Sequence, residues 1–248
     1  MIERMMMTTT PVTTFHGSKP LALSTGFFFQ NAERLYLITN QHTLHKKVND
    51  HRPDRLEFGV HVQSGHGLRT ATVSVLLVAD DGRCWRSGYD RHGEIDIAAI
   101  ELEPSQMPPG VRMNCFTPED IAEAPAKVGA GDPVLIVHFP AGHQDEATAL
   151  PVVRHAVVAT SMEGRFRGQS YFLTDTRAHS GSSGAPVVVR RSWDTAAAAN
   201  SGGWMLLGVH SSTFDLVEPH EPHHMASQDM SCNWYADILP LLTTGEML

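Results

Sequence analysis

A chain of 248 residues has room for one large β domain or two small ones, and 42% hydrophobic content with only 19% charged residues is not the composition of a disordered chain. The net charge of −8 argues against nucleic acid as a main partner, and no stretch has the roughly 18 apolar residues of a membrane span. Cys84, Cys115 and Cys232 are odd in number and widely spaced, which indicates neither a disulfide framework nor a zinc ribbon.

Residues 1–20 are rich in threonine, carry Pro11 and Pro20, and read as a loose N-terminal arm. Two strand-like runs follow, 21–30 (Leu-Ala-Leu-Ser-Thr-Gly-Phe-Phe-Phe-Gln) and 34–40 (Arg-Leu-Tyr-Leu-Ile-Thr-Asn). Asn31-Ala32-Glu33 turns between them, so length and composition predict a hairpin. His42 stands where its second strand ends, ahead of one expected helical turn at 43–47. Further strands are expected at 56–62, 70–78 and 95–102, with Asp96 near the start of the last. About six strands before residue 103 is the spacing of a closed barrel.

Residues 103–130 change character. Pro104, Pro108, Pro109, Pro118 and Pro125 interrupt them, which places a connection between two bodies here. A second strand series is expected at 132–139, 151–160, 169–175, 185–191 and 204–214, with a surface loop at 192–203. Trp234, Ile238, Leu239 and Leu242 then fall at helical spacing and predict a C-terminal helix on the second body, despite Pro240. The expected fold class is all-β: two antiparallel six-stranded β-barrels and a short C-terminal helix. The expected division is an arm at 1–20, an N-terminal barrel at 21–118, and a C-terminal barrel with the helix at 119–248.

Chemistry concentrates in the run Ala178-His179-Ser180-Gly181-Ser182-Ser183-Gly184-Ala185-Pro186, which leads straight into the β-branched Val187-Val188-Val189. Glycines around the serines permit a tight turn with uncovered N–H groups, a setting for a nucleophile and for stabilising an oxyanion. A serine hydroxyl needs a base within hydrogen-bond reach, and that base needs an orienting acceptor; His42 and Asp96 are the candidates. Taken singly, a turn serine, a surface histidine among fifteen, and a strand-edge carboxylate would account for these residues.

Taken together, Thr39-Asn40-Gln41-His42, Asp96-Ile97-Ala98-Ala99-Ile100 and the glycine–serine turn resemble the trypsin-like (chymotrypsin-fold) serine peptidases, in that family's order of histidine, aspartate and serine. The segment 128–140 likewise resembles the opening strand of the second barrel in bacterial members. The resemblance implies catalytic His42, Asp96 and Ser183, with the backbone N–H groups of Gly181 and Ser183 as the oxyanion hole. Only Ser183 fits the family pattern of Gly, any residue, Ser, Gly, small residue, Pro. Ser182 takes the place where many secreted relatives carry an aspartate that pairs with a newly cut N-terminus, which implies a site needing no such cleavage.

The same resemblance places Arg177 at the floor of the first substrate pocket and His210 beside it. In glutamate-specific and picornaviral-type relatives the matching histidine contacts an acidic or amide side chain, so Glu, Asp or Gln is expected before the scissile bond. Ala178 departs from those relatives, which carry threonine as a second donor. The expected partner is a polypeptide substrate, with no nucleic acid, membrane, metal or cofactor, and nothing in the sequence sets the oligomeric state. His220, His223 and His224 are expected to form a solvated loop, because no second cluster is spaced to complete a zinc site. The N-terminus lacks the apolar run of a signal peptide, so a cytoplasmic bare peptidase domain is expected. An α/β-hydrolase would need the order Ser, Asp, His and a helix after its serine elbow. The alternative function is a catalytically silent peptidase-like fold that binds peptide or protein.

Overall fold

Strand runs apolar on both faces dominate the fold, because the two β bodies press against each other as well as enclosing their own cores. The computed structural model describes residues 3–45, 52–65, 67–79, 82–91, 93–122, 128–141, 145, 148–177, 179–190, 203–213 and 230–244. The first body comprises β1 (Thr9–His16), β2 (Lys19–Asn31), β3 (Arg34–Thr39), the one-turn helix α1 (Gln41–Leu44), β4 (Arg55–Ser64) and β5 (Gly67–Leu76). It continues with a two-residue ladder, β6 (Val78–Ala79) and β7 (Gly82–Arg83), then β8 (Arg86–Asp90), β9 (Gly93–Leu102) and β10 (Val111–Arg112). All but β6 and β7, which pair only with each other, form an eight-stranded sheet in the order β10-β4-β1-β2-β3-β9-β8, with β5 paired to β4, where a closed six-stranded barrel was expected.

The second body is a closed six-stranded barrel: β11 (Pro133–His138), β12 (Val152–Val158), β13 (Tyr171–Asp175), β14 (Pro186–Arg190), β15 (Trp204–Thr213) and β16 (Met230–Tyr235). Its order is β11-β12-β13-β16-β15-β14. The helix α2 (Leu239–Thr244) ends the described chain.

Alternation explains the positioning. In β2, Phe27 and Phe29 face the seam between the bodies, whereas Phe28 faces the interior of the first sheet. Tyr36 and Ile38 of β3 and Ile95, Ile97 and Ala99 of β9 join them at the seam, while Leu37, Ala98 and Ile100 point inward. The second barrel contributes Val137, Val188, Leu206 and Val209 to the seam and keeps Ile136, Val187 and Leu207 inside. Each such side chain adds about 2 kcal/mol of burial, which docks the two bodies rigidly.

Two expectations are corrected. Residues 3–20 are no arm: Arg4–Met7 form a 3-10 turn and β1 pairs with both β2 and β4. Their threonines are β-branched strand formers, and Thr10, Val12 and Thr14 alternate inward. The helical stripe from 233 is split, because 230–235 is β16 with Ser231 and Asn233 buried on one face, and the helix begins only at Leu239. That helix sits at the seam and also bonds the first body: Tyr36 Oη donates to Thr243 O at 2.7 Å and Arg86 Nη1 at 2.8 Å. Residues 220–224 and nearly all of the loop expected at 192–203 lie outside the described residues.

Candidate active site

His42 is delivered by local chain geometry. β3 ends at Thr39, Asn40 remains extended, and α1 begins at Gln41, so the residue after Gln41 turns off the sheet edge. Asn40 Nδ2 donates to the carbonyl of Asp96 at 2.7 Å, which ties this turn to β9. Gln41 Nε2 donates to Glu94 on the same strand.

The Asp96 carboxylate is surrounded by donors. Oδ1 accepts the backbone N–H of His42 at 2.8 Å, and Oδ2 accepts His42 Nδ1 at 2.7 Å. Ser211 Oγ, reaching over from β15, donates to Oδ2 at 2.6 Å. The ring orientation and tautomer of His42 are thereby fixed: Nδ1 carries hydrogen, and Nε2 is the nitrogen left to accept. His42 and Asp96 side chains are 31% and 22% exposed, so the pair lies at an opening rather than in the core.

The serine turn is pressed against this hairpin. Thr25 N–H donates to Ser183 O at 2.8 Å, Thr25 Oγ1 donates to Gly181 O at 2.7 Å, and Thr39 Oγ1 donates to Thr25 O at 2.9 Å. Gly184 has φ +83°, and a Cβ there would meet Thr25 O and stand 2.5 Å from Thr39 Oγ1. Only glycine permits both the backbone angle and the contact. Gly181, at φ +93°, is similarly crowded by Phe139 O and Ala141 N. Ser182 Oγ is committed to His179 O at 2.7 Å. Ser183 is half-buried, and its Oγ has no hydrogen-bond partner among the described residues. Among the described residues the N–H groups of Gly181 and Ser183 also donate to nothing.

His210 runs beside the turn: its N–H donates to Ala185 O, and its carbonyl accepts Gly184 N–H, both at 2.8 Å. The residue is 1% exposed, and Nδ1 lies 3.0 Å from Asn233 Oδ1. Burial lowers its pKa to about 4, the bond to Asn233 opposing that shift and the charge of Arg154 adding to it. His138 on β11 is also 1% exposed, with no partner for either ring nitrogen, and burial followed by the charges of His210, Arg154 and His179 lowers it to about 4. The cation acting on all three histidines is Arg154, whose Nη1 donates to Arg177 O at 2.7 Å. Arg177 itself is exposed and acts on His179.

The structure thus joins His42 to Asp96, sets Gly181 and Ser183 against Thr25 of β2, and places His210 next to them, with Arg177 at the surface. Sequence reasoning missed Ser211, Asn233, Arg154 and His138. Only Ser211 had a visible cue, its position directly after His210 on a strand returning to the site.

Two β bodies docked along an apolar seam, with an aspartate-held imidazole from one and a glycine–serine turn from the other, define a two-body peptidase fold. The chain belongs to the trypsin-like peptidase domain family, whose model matches residues 24–195. No curated protein matches. Among solved structures it is similar to a serine endoprotease from Yersinia pestis (16% identity, TM-score 0.53), covering 98% of this chain but 63% of that one. It is also similar to the scabies mite inactivated protease paralogue S-I1 (16%, TM-score 0.54; 96% and 94% covered) and to the thermostable serine protease AL20 from an extremophilic microorganism (14%, TM-score 0.50; 93% and 91%). Among the described residues no helix is long and apolar enough to cross a membrane.

Proposed function

We propose that this chain is a serine endopeptidase working through an acyl-enzyme, with His42, Asp96 and Ser183 as its catalytic residues. The observation that carries the reading is the Asp96 carboxylate holding His42 through both its backbone N–H and Nδ1. His42 Nε2 then takes the proton of Ser183 as its Oγ attacks the scissile carbonyl, and returns it to the leaving amine. Asp96 stays ionised and stabilises the imidazolium. The N–H groups of Gly181 and Ser183 receive the developing oxyanion, supplying stabilisation of about 3 kcal/mol or more in such sites. The bond between nucleophile and base is often long before substrate binds and tightens afterwards. Neither metal nor cofactor enters this chemistry.

His210, beside the nucleophile, supports a pocket for an acidic or amide side chain before the cut bond. Arg177, at the surface, is the cation proposed for the floor of this pocket, and the charge of Arg154 also reaches His210. The exposed free thiol of Cys84 accords with a reducing, cytoplasmic setting. The second reading, a silent binding fold, draws on the unbonded Ser183 Oγ. Labelling with a fluorophosphonate separates them: Ser183 is modified and His42→Ala abolishes labelling, whereas an unmodified Ser183 in folded protein would favour the binding module.

A further inference from the structure

One edge of the first body carries a strand whose outer side is unpaired. β5 lies against β4 along its whole length, from Arg55↔Leu76 to Ser64↔Gly67, and among the described residues no other strand pairs with it. In an antiparallel ladder every second residue turns its N–H and C=O away from the partner strand. Those outward groups of Gly67–Leu76 find no hydrogen-bond partner among the described residues. Edge strands are ordinarily blunted by lysine, proline, a bulge or brevity. β5 is 10 residues long, runs without a register shift, contains no proline, and has Arg69 as its sole charge. From Thr70 to Val78 the chain reads Thr-Ala-Thr-Val-Ser-Val-Leu-Leu-Val, rich in strand-forming residues and free of charge. Val73 and Val75 point into the core of the first body, so the alternate residues face solvent. Among those, Leu68 is 42% exposed and Leu76 64%, the highest value of any large apolar side chain among the described residues.

We propose that β5 is the surface through which two copies of this chain associate, their β5 strands pairing antiparallel about a twofold axis at Thr72. The strand is self-complementary in that register. Thr72 faces Thr72, Thr70 faces Ser74, and Leu68 faces Leu76 of the second copy, all on the solvent side of the joined sheet. The two exposed leucines thus cover each other twice, and Thr–Thr and Thr–Ser are favourable cross-strand pairs. On the other side Ala71 meets Val73 and Arg69 meets Val75, so no like charges oppose each other along the strand despite the net charge of −8. An axis at Ala71 or Val73 keeps the faces matched but parts the leucines. Twofold pairing of one patch with itself closes at two copies. A single strand pair makes a small interface, so the dimer forms with rising concentration. β5 supplies nothing to the seam or to the candidate active site, so the pairing is independent of the peptidase reading.

Sedimentation velocity on the full chain at neutral pH, from about 1 to about 100 μM, tests this. The expected result is a monomer that converts to a dimer over this range, with hydrogen exchange at the backbone amides of residues 67–76 slowing as the dimer forms. Thr72→Lys sets two ammonium groups opposite each other at the axis and should weaken association at least about tenfold. Its thermal melt should stay unchanged, because Thr72 is exposed. Thr72→Glu should behave alike, and an equimolar mixture of the two variants should restore the dimer, opposite charges now facing. A misfolded variant gives no such restoration, so the mixture reads the register separately from the fold. A chain that stays monomeric throughout overturns the proposal, even where a strand of some other protein pairs with this edge. A dimer that Thr72→Lys leaves intact, or a mixture no more associated than either variant alone, overturns it equally.

Discussion

Asp96→Asn isolates the chemistry of the site from its architecture. Every group around the carboxylate donates: His42 N–H to Oδ1, and His42 Nδ1 and Ser211 Oγ to Oδ2. Asparagine supplies one oxygen and one NH2. The backbone N–H of His42 cannot rotate away, so the oxygen must stay with it and the NH2 must face Nδ1. The imidazole can then bond only by presenting a lone pair at Nδ1, which moves its hydrogen to Nε2. Ser211 adapts by turning its hydroxyl, but the ring can no longer accept a proton from Ser183. Loss of the correct tautomer costs about 10³–10⁴-fold in kcat, or about 4–5.5 kcal/mol of barrier. The fold loses only the difference between charged and neutral hydrogen bonds, about 1–2 kcal/mol. Steady-state kinetics on a peptide substrate at pH 7.5, run beside a thermal melt, measure both. A folded variant within tenfold of wild-type kcat/KM would refute the assignment of Asp96 and the tautomer argument together.

Ser211→Ala should behave differently, because its bond to Asp96 is present before and during reaction. We expect a loss of about 1–2 kcal/mol in stability with less than a tenfold fall in kcat/KM, and a hundredfold fall would show that Ser211 does more than hold the carboxylate. Gly184→Ala should destabilise by about 2–4 kcal/mol, from backbone strain at φ +83° plus the overlap with Thr25 and Thr39. Gly17→Ala, at φ +57° with nothing nearby, should cost only about 1 kcal/mol, and equal melts for the two variants would remove the contact argument. His138 and His210 hold folded pKa values of about 4 against about 6.5 unfolded, so the unfolded chain takes up protons first as pH falls from 6.5 to 4. Stability is therefore full above pH 6.5 and declines below it, by at most about 3 kcal/mol for each ring. His138→Leu should remove one of these contributions, and denaturant melts at pH 7.5 and 4.5 that show an unchanged decline would contradict this.

Much of the fold was legible because β order is written locally. The hairpin of β2 and β3 announces itself through an apolar run, a turn and a second apolar run, and β11, β12 and β14 of the closing barrel carry β-branched stretches. The contexts of His42, Asp96 and Ser183 were visible for a related reason: a strand end, a strand start and a glycine-bounded turn need particular residues at neighbouring positions. β1 was misread because its threonines and proline look like loop until β2 and β4 flank them. β16 was misread because two of its inward residues are Ser231 and Asn233, polar groups that can be buried only where Thr174, Thr176 and His210 supply partners. The same physics hid Ser211, Arg154 and Asn233, whose roles consist entirely of bonds to residues far away in the chain. The sequence by itself therefore determined which segments become strands and which turn can carry a nucleophile, since those depend on backbone preference and side-chain alternation. Only the tertiary structure decided which donors surround Asp96 and which ring nitrogen of His42 carries hydrogen, because hydrogen-bond partners are set by proximity in space.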